Sequence, residues 1–126
     1  MTVNEIIASV DLKEPNSYSS SEKIRWLSAL DGKIFAEVLQ THEGLADDAA
    51  FTPYADGSET LLIPFPYGED VYTHYLIAMI AAANAETARY NQQIALYNAD
   101  YGQWWNAYHA AHLPLHGGGR FVFFRG

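Results

Sequence analysis

Apolar residues in the first third of the chain recur at steps of three and four and predict two helices. Each helix is preceded by a hydroxyl residue with Glu three positions later, at Thr2 and at Ser19, which is the form of a capping box. The first helix is expected over residues 3–12, and the second runs from the Ser19 cap to about His42, with Gly44 placed to take a left-handed C-terminal cap. The predicted buried positions are Ile6, Ile7 and Val10 in the first helix and Ile24, Leu27, Leu30, Ile34 and Val38 in the second.

A long connection follows over residues 44–66, where turn signals and prolines argue against a further helix. Asp56 and Gly57 mark a turn, and residues 60–63 could form one short extended segment. A proline stands on each side of Phe65. Each proline fixes its own φ and disfavours helical backbone for the residue before it, so we expect an extended path into the next element.

The pattern after the prolines predicts one long helical segment from about Glu69 to His112. Between positions 76 and 111 apolar residues recur at alternating steps of four and three, with Thr87 as the polar exception, and this is the spacing of a coiled-coil seam. Such a seam carries helix packing, either within one chain or between copies. The seam residues are Leu76, Ile80, Tyr90, Ile94, Tyr97, Tyr101, Trp104 and Tyr108.

A straight helix of this length cannot keep a sevenfold repeat on one face, because the repeat drifts by about 20° per heptad. We therefore expect a supercoil, a bend or an interruption, and residues 100–102, which end in Gly102, are the expected place for it. A helical hairpin turning near residues 84–86 is the alternative, but that stretch contains no Gly or Pro to make the turn.

The end of the chain is predicted to form a separate arm. Pro114 stops the helix, and the glycines at 117–119 form a joint, which divides the chain into a helical domain, residues 1–116, and an arm, residues 117–126. The arm is short, apolar and prone to β-structure. Its aromatic rings need a place to be buried, either on the chain's own helices or on a neighbouring subunit by strand addition. The expected contact residues of the arm are Phe121, Phe123 and Phe124.

Length and composition fit a single helical domain. The chain has 126 residues, of which 49% are hydrophobic and 17% charged, so it can bury a core but is too short for two ordinary domains. With the patterns above this predicts a mainly α fold: a short helix, a longer helix, an extended loop and a long C-terminal helical segment. The nine Tyr residues outnumber the six Phe residues, and Tyr rings suit subunit interfaces as well as cores.

The charge balance argues against a nucleic-acid-binding protein. Fifteen acidic residues stand against seven scattered basic ones, and the net charge is −8. Tight binding to DNA or RNA depends on clustered Lys and Arg, so we expect no specific nucleic-acid binding. The N-terminus has no basic region followed by a long apolar one, and the most apolar window, residues 75–85, is shorter than a membrane span. We therefore expect a soluble, unexported protein with no membrane contact.

Few residues are candidates for catalysis or metal binding. The absence of Cys removes thiolate nucleophiles and Cys-ligated zinc. His109 and His112 lie three apart on one helix face with His116 beyond them, but no acidic ligand is near in sequence, and histidines at a helix C-terminus also complement the helix dipole. The carboxylate pairs at 47–48 and 69–70 fall in a loop and at a helix start. We expect no catalytic, cofactor-binding or metal site, and no enzymatic activity.

Several segments together resemble one protein family. They are EKIRWLSALDGKIFAEVLQTHEG, LLIPFPYGEDVYTHYLIAMIAAANAETARYN, the aromatic helix ending in HLP and the Phe-rich tail. In combination they resemble small proteins from the structural gene block of tailed bacteriophages and prophages of Gram-positive bacteria, described as head-tail connector or head-completion proteins. The likeness spans about residues 3–125, and its most specific residues are Trp26, Leu30, Asp31, Gly32 and the PFPY segment at 64–67.

The resemblance implies an all-helical structural protein of the virion, located at the head-tail junction and present in the bacterial host cytoplasm during assembly. Connectors of this kind form a ring below the portal, complete the head and dock the tail. The implied partners are therefore other copies of the chain, the portal protein and tail-completion proteins, with DNA passing through the channel. The alternative is a DNA-packaging accessory protein similar to a small terminase, which should carry a basic DNA-binding helix. A His-dependent metalloprotein is a third possibility.

Overall fold

A computed structural model gives the structure of residues 1–115, and the predicted arm lies outside this described range. The described part folds into four α-helices and one short 3-10 helix and contains no β-strand. This confirms the mainly α fold class that the sequence predicts. The helices are α1 (Val3–Lys13), α2 (Ser20–Glu37), α3 (Gly68–Ala83) and α4 (Thr87–Ala111), and the 3-10 helix, between α2 and α3, is Leu39–Thr41.

Side-chain caps fix the starts of α1 and α2. The Thr2 hydroxyl accepts the backbone N–H of Glu5 at 3.2 Å, and the Glu5 carboxylate accepts the N–H of Thr2 at 3.1 Å, which confirms the predicted capping box. At α2 the Ser19 hydroxyl accepts the N–H of Glu22 at 3.2 Å. The Glu22 carboxylate bonds Arg25 at 3.1 Å, so Ser19 caps the helix but the reciprocal half of the second box is not formed.

The predicted end of α2 near His42 is wrong, because the α-helix stops at Glu37. The hydroxyl of Thr41 donates to the carbonyl oxygens of Glu37 and Val38, at 3.0 and 2.9 Å. These bonds satisfy carbonyl groups that the next helical turn would otherwise use, and the chain tightens into the 3-10 helix. Gly44 does have a positive φ of 103°, but it lies in the loop beyond this turn and is not the cap of α2.

The single long helix predicted from Glu69 to His112 is also wrong. The chain turns between α3 and α4, at residues 84–86, and α4 continues without a break through residues 100–102. The hairpin that the sequence disfavoured is therefore the observed structure. Because α3 and α4 pack against each other, the two halves of the seam lie side by side. The Asp100 carboxylate of α4 also bonds Nδ1 of His74 on α3 at 2.6 Å.

The hairpin turn is made by backbone hydrogen bonds of the Schellman type. The N–H of Glu86 donates to the carbonyl of Ala81 at 2.9 Å, and the N–H of Ala85 donates to that of Ala82 at 3.1 Å. This arrangement needs a left-handed residue, and Ala85 takes that place with a φ of 59°. The position usually belongs to Gly, which explains why a search for Gly or Pro missed the turn.

A contact with a distant part of the chain supports the same turn. The carboxamide oxygen of Asn84, the last residue before Ala85, accepts a hydrogen bond from the Tyr18 hydroxyl at 2.6 Å. The amide nitrogen of Asn84 donates to the Glu86 carboxylate at 3.2 Å. Tyr18 lies just before α2, so the tip of the hairpin is fixed to the start of that helix.

The central helix of the fold is α3, because residues on most of its surface are apolar and buried. It packs against α1, α2 and α4, whereas α4 buries one stripe and exposes much of its remaining surface. Within the described range, no helix is both long and apolar enough to cross a membrane. Core residues include Val3, Ile6 and Val10 of α1, Leu27, Leu30 and Ile34 of α2, Val71, Tyr72 and Leu76 of α3, and Ile94, Tyr97 and Tyr101 of α4.

The long connection is bonded to the N-terminus of the chain. Thr2 and Thr60 form an isolated antiparallel bridge, and the N–H of Asn4 donates to the carbonyl of Gly57 at 2.9 Å. Gly57 has a φ of 88°, and a Cβ there would collide with the Asn4 side chain, so the turn requires glycine. The connection is thus held although it contains no helix or strand between the 3-10 helix and α3.

Candidate functional site

The predicted seam lies inside the chain. Its residues on α3 and α4 belong to one buried core, in which the two helices pack together. The Tyr97 ring of α4 lies 5.3 Å from that of Tyr75 on α3 and 5.7 Å from that of Tyr101, measured between centroids. The seam therefore packs α3 against α4 in one chain, while a role between copies stays a prediction. Its buried residues are Leu76, Ile80, Ile94, Tyr97, Tyr101 and Trp104, and Tyr90 and Tyr108 are half-buried beside them.

The other predicted contact, made by Phe121, Phe123 and Phe124 of the arm, falls outside residues 1–115. The prediction that these rings pack on the chain's own helices or on a neighbour therefore stays open. What the structure does describe is the backbone that leads toward them. The N–H of Leu115 donates to the carbonyl of Thr41 at 2.8 Å.

The carboxyl group of Asp31 lies in the core, with no solvent exposure. Its oxygens accept hydrogen bonds from the hydroxyl of Tyr72 on α3, at 2.6 Å, and from the hydroxyl of Tyr54 in the long connection, at 2.5 Å. The N–H of Leu62 donates a third bond at 3.1 Å, and the Tyr72 hydroxyl accepts the N–H of Ile63 at 2.9 Å. These five residues, the Asp31 cluster, join α2 and α3 to two points of the connection.

The surroundings of the Asp31 cluster change its pKa values. Burial raises the pKa of Asp31, although the hydrogen bonds from Tyr54, Tyr72 and the Leu62 N–H act in the opposite direction. Burial, followed by the nearby Asp31 charge, raises the pKa of Tyr72 well above its usual value and raises that of Tyr54 as well. At neutral pH both phenols are therefore protonated hydrogen-bond donors.

The Asp31 cluster stabilises the fold, because its hydrogen bonds connect α2, α3 and the long connection through a buried carboxyl group. The resemblance pointed to Asp31, but its role was not predicted. A signal was present: Asp31 lies four residues after Leu27 and three before Ile34, on the apolar stripe of α2. A carboxylate at a core position needs hydrogen-bond donors from elsewhere in the fold.

His42 and His109 form a pair that the sequence did not predict. Nδ1 of His42 lies 2.8 Å from the carbonyl oxygen of Val38, and because a carbonyl only accepts, this nitrogen carries a proton. Nε2 of His42 lies 2.9 Å from Nδ1 of His109, so His109 is the donor when both rings are neutral. The Trp105 ring stacks on His109 with centroids 4.5 Å apart. The pair fastens the end of α4 to the residue after the 3-10 helix.

The two described histidines considered as metal ligands, His109 and His112, have different partners. His109 bonds His42, whereas the His112 ring stacks on Tyr108 and its Nδ1 lies 3.0 Å from the Tyr108 carbonyl oxygen. His116 lies beyond the described residues. Among residues 1–115 no group of three or more His, Cys, Asp or Glu side chains is placed to hold a metal ion.

The PFPY segment forms an exposed turn directly before α3. The N–H groups of Tyr67 and Gly68 both donate to the carbonyl of Pro64, at 3.1 and 3.0 Å. Pro64, Phe65 and Pro66 are exposed, and the exposed fraction of Phe65 is 83%. This turn, named the Phe65 turn, therefore presents an aromatic ring to solvent at a fixed place.

The surface carries an excess of acidic groups. The carboxylate pairs at 47–48 and 69–70 are exposed. Several basic residues are paired with carboxylates, which offset part of their charge. These pairs are Lys23 with Asp11, Arg25 with Glu22 and Arg89 with Glu14.

Comparisons with known proteins find no match for the chain among protein-family models, curated proteins or solved structures. The Asp31 cluster, the Phe65 turn and the acidic surface are therefore the structural features from which a function can be argued.

Proposed function

We propose that this chain is a non-enzymatic structural protein of a tailed bacteriophage, which acts at the head-tail junction. It oligomerises as a ring below the portal, completes the head and docks the tail. The observation that carries the proposal is the resemblance of residues 3–125 to head-tail connector proteins, above all in the WLSALDGKIFAEVL and PFPY segments. Its partners are other copies of the chain, the portal protein and tail-completion proteins.

The Asp31 cluster supports the proposal because it links the two segments that carry the resemblance. Asp31 belongs to the first segment. It accepts the N–H of Leu62 directly and bonds Tyr72, which accepts the N–H of Ile63, and these two residues immediately precede PFPY. The two segments therefore depend on each other in the folded chain, as expected when both belong to one shared fold.

The acidic surface is also consistent with a protein that surrounds DNA without holding it. The net charge is −8, and basic residues are few. Carboxylates that line a channel repel the phosphate backbone, so DNA can pass through without sticking. A small-terminase-like packaging protein would instead need a basic face to grip DNA.

The test is electron microscopy of particles from cells that carry the phage with this gene deleted. We expect DNA-filled heads beside detached tails, because a missing connector leaves the packaged head without a surface for the tail. A plasmid copy of the unaltered gene should restore complete virions, and this is the control for effects on neighbouring genes.

Other outcomes of the same experiment contradict the proposal. Complete virions from the deletion phage would remove the protein from virion assembly. Empty proheads would support the packaging alternative, since DNA would then fail to enter the head. A separate metal assay on untagged protein tests the third possibility: stoichiometric zinc that is lost in His109→Ala and His112→Ala would support a metalloprotein.

A further inference from the structure

Phe65 is the one aromatic residue among the strongly exposed large apolar residues of the described chain. Proline on each side restricts its backbone, and the N–H of Tyr67 closes the turn onto Pro64 at 3.1 Å. A backbone held in this way loses little conformational freedom when a partner covers the ring, which favours binding. Leu12 is as exposed, at 86%, but it stands between the charged residues Asp11 and Lys13.

A cavity of about 360 Å³ lies beside the first half of α2. Ile24 and Ala29 line it from α2, and Tyr54 lines it from the long connection. The position of Tyr54 is fixed, because its N–H donates to the Ser28 hydroxyl at 3.0 Å and its own hydroxyl donates to Asp31 at 2.5 Å. The cavity is therefore formed before anything binds to it, as ligand-binding pockets usually are.

The Phe65 turn and this cavity are different parts of the surface. The turn directly precedes α3, whereas the cavity lies along residues 21–29 of α2 and residues 53–55 of the long connection. A contact between the turn of one copy and the cavity of another would be heterologous, and such a contact repeats from head to tail into a ring or a filament.

The charges beside the two surfaces are complementary. Glu69 and Asp70 are exposed in the first turn of α3, next to Phe65. Arg25 lines the cavity, and its side chain is 72% exposed. The bond from Arg25 to Glu22 joins two groups on the surface of one helix, and pairs of this kind contribute little, so Arg25 can turn toward carboxylates of another copy.

We propose that Phe65 of one copy inserts into the α2 cavity of the next copy, with Arg25 facing Glu69 and Asp70 across the contact. This head-to-tail contact builds the oligomer. That the oligomer closes into a ring rests on the proposed function. The contact between two copies does not, and it can be tested with the purified protein.

Cysteine cross-linking tests the contact directly, because the chain has no Cys of its own. Full-length Glu69→Cys and Ala29→Cys proteins, both of which keep the Phe65 ring, are mixed and oxidised, and the disulfide-linked heterodimer is measured on a non-reducing gel. The control mixture is Leu12→Cys with Ala29→Cys, because Leu12 is also exposed but does not line the cavity. We expect at least about tenfold more heterodimer from the first mixture. This ratio corresponds to a contact that contributes about 1.4 kcal/mol or more to binding, as anchoring aromatic residues do. Equal yields would overturn the proposal.

A charge exchange gives a second, independent test by sedimentation. Arg25→Glu should weaken self-association about tenfold or more, because it places a carboxylate opposite Glu69 and Asp70. Glu69→Lys in the same chain should restore part of the loss. Helical circular dichroism shows whether each variant remains folded. Unchanged association in Arg25→Glu would contradict the proposed contact.

Complementation of the gene deletion separates this inference from the proposed function. If the deletion leaves detached tails, we expect that Phe65→Ser fails to restore virions and that Leu12→Ser restores them. Full rescue by Phe65→Ser would overturn the contact while the function at the junction stands. Complete virions from the deletion phage itself would overturn the function, whatever the cross-linking result.

Discussion

At the scale of single residues, Asp31 joins parts of the chain that are distant in sequence. Two of its bonds come from phenol hydroxyls, at Tyr54 and Tyr72, but these two tyrosines differ in their surroundings. Tyr72 is fully buried and also accepts the N–H of Ile63, whereas Tyr54 is half-buried and close to water. The same chemical change at the two positions should therefore have different costs.

We predict that Tyr72→Phe lowers the free energy of unfolding by about 2 kcal/mol, because the buried Asp31 carboxyl group and the Ile63 N–H both lose a partner. Tyr54→Phe should cost about 0.5–1 kcal/mol, since water can replace its hydroxyl. Urea unfolding followed by circular dichroism measures both values. Equal losses in the two variants would show that the Tyr72 hydroxyl contributes no more to stability than the Tyr54 hydroxyl, which would contradict this prediction.

At the scale of the helices, the turn between α3 and α4 depends on an alanine in a left-handed conformation. This conformation costs an L-residue with a side chain about 1–2 kcal/mol, whereas Gly adopts it freely. The turn nevertheless forms, because two Schellman hydrogen bonds and the Tyr18–Asn84 bond outweigh the strain. The strain should therefore be removable without loss of the turn.

We predict that Ala85→Gly raises the free energy of unfolding by about 0.5–1 kcal/mol, since the relief of strain exceeds the added entropy of the unfolded chain. The matched control is Ala99→Gly, at an exposed position in the middle of α4, which should lower stability by about 1 kcal/mol. Thermal unfolding of the two variants should thus show midpoints shifted in opposite directions. A loss of stability in Ala85→Gly would contradict a strained turn.

At the scale of the whole molecule, the core contains phenol groups that cannot ionise without disruption. Burial raises the pKa of Tyr75 to about 12 and raises the pKa values of Tyr72 and Tyr97 as well. In the unfolded chain these groups lose their protons near pH 10, their ordinary value. Above that pH the unfolded state therefore binds fewer protons than the folded state, which favours unfolding.

We predict that the free energy of unfolding falls as the pH rises from 10 toward 12, because the stability that these buried phenols contribute is lost. Each one should contribute a slope of up to about 1.4 kcal/mol per pH unit. Urea unfolding at several pH values measures the slope, and phenolate absorbance at 295 nm should rise together with the loss of helix. Ionisation of every tyrosine while the helices persist would contradict the burial of these hydroxyls.

The parts of this molecule that could be predicted from sequence depend on neighbours along the chain. The stripes of α1 and α2, the Thr2 cap and the turn at Gly57 all follow from residues a few positions apart. The hairpin and the Asp31 cluster depend instead on contacts across the fold, such as Tyr18 with Asn84 and Asp31 with Tyr72. Local spacing contains no information about which distant residue supplies a hydrogen bond.

The bridge between Thr2 and Thr60 has a consequence for the order of events during synthesis. The ribosome releases α1 first, but the residues that hold its start, around Gly57 and Thr60, follow much later. A free helix of 11 residues is too short to be stable in water. Translation must therefore pass residue 60 before α1 can be anchored, and a nascent chain that stops earlier leaves the apolar face of α1 uncovered for chaperones.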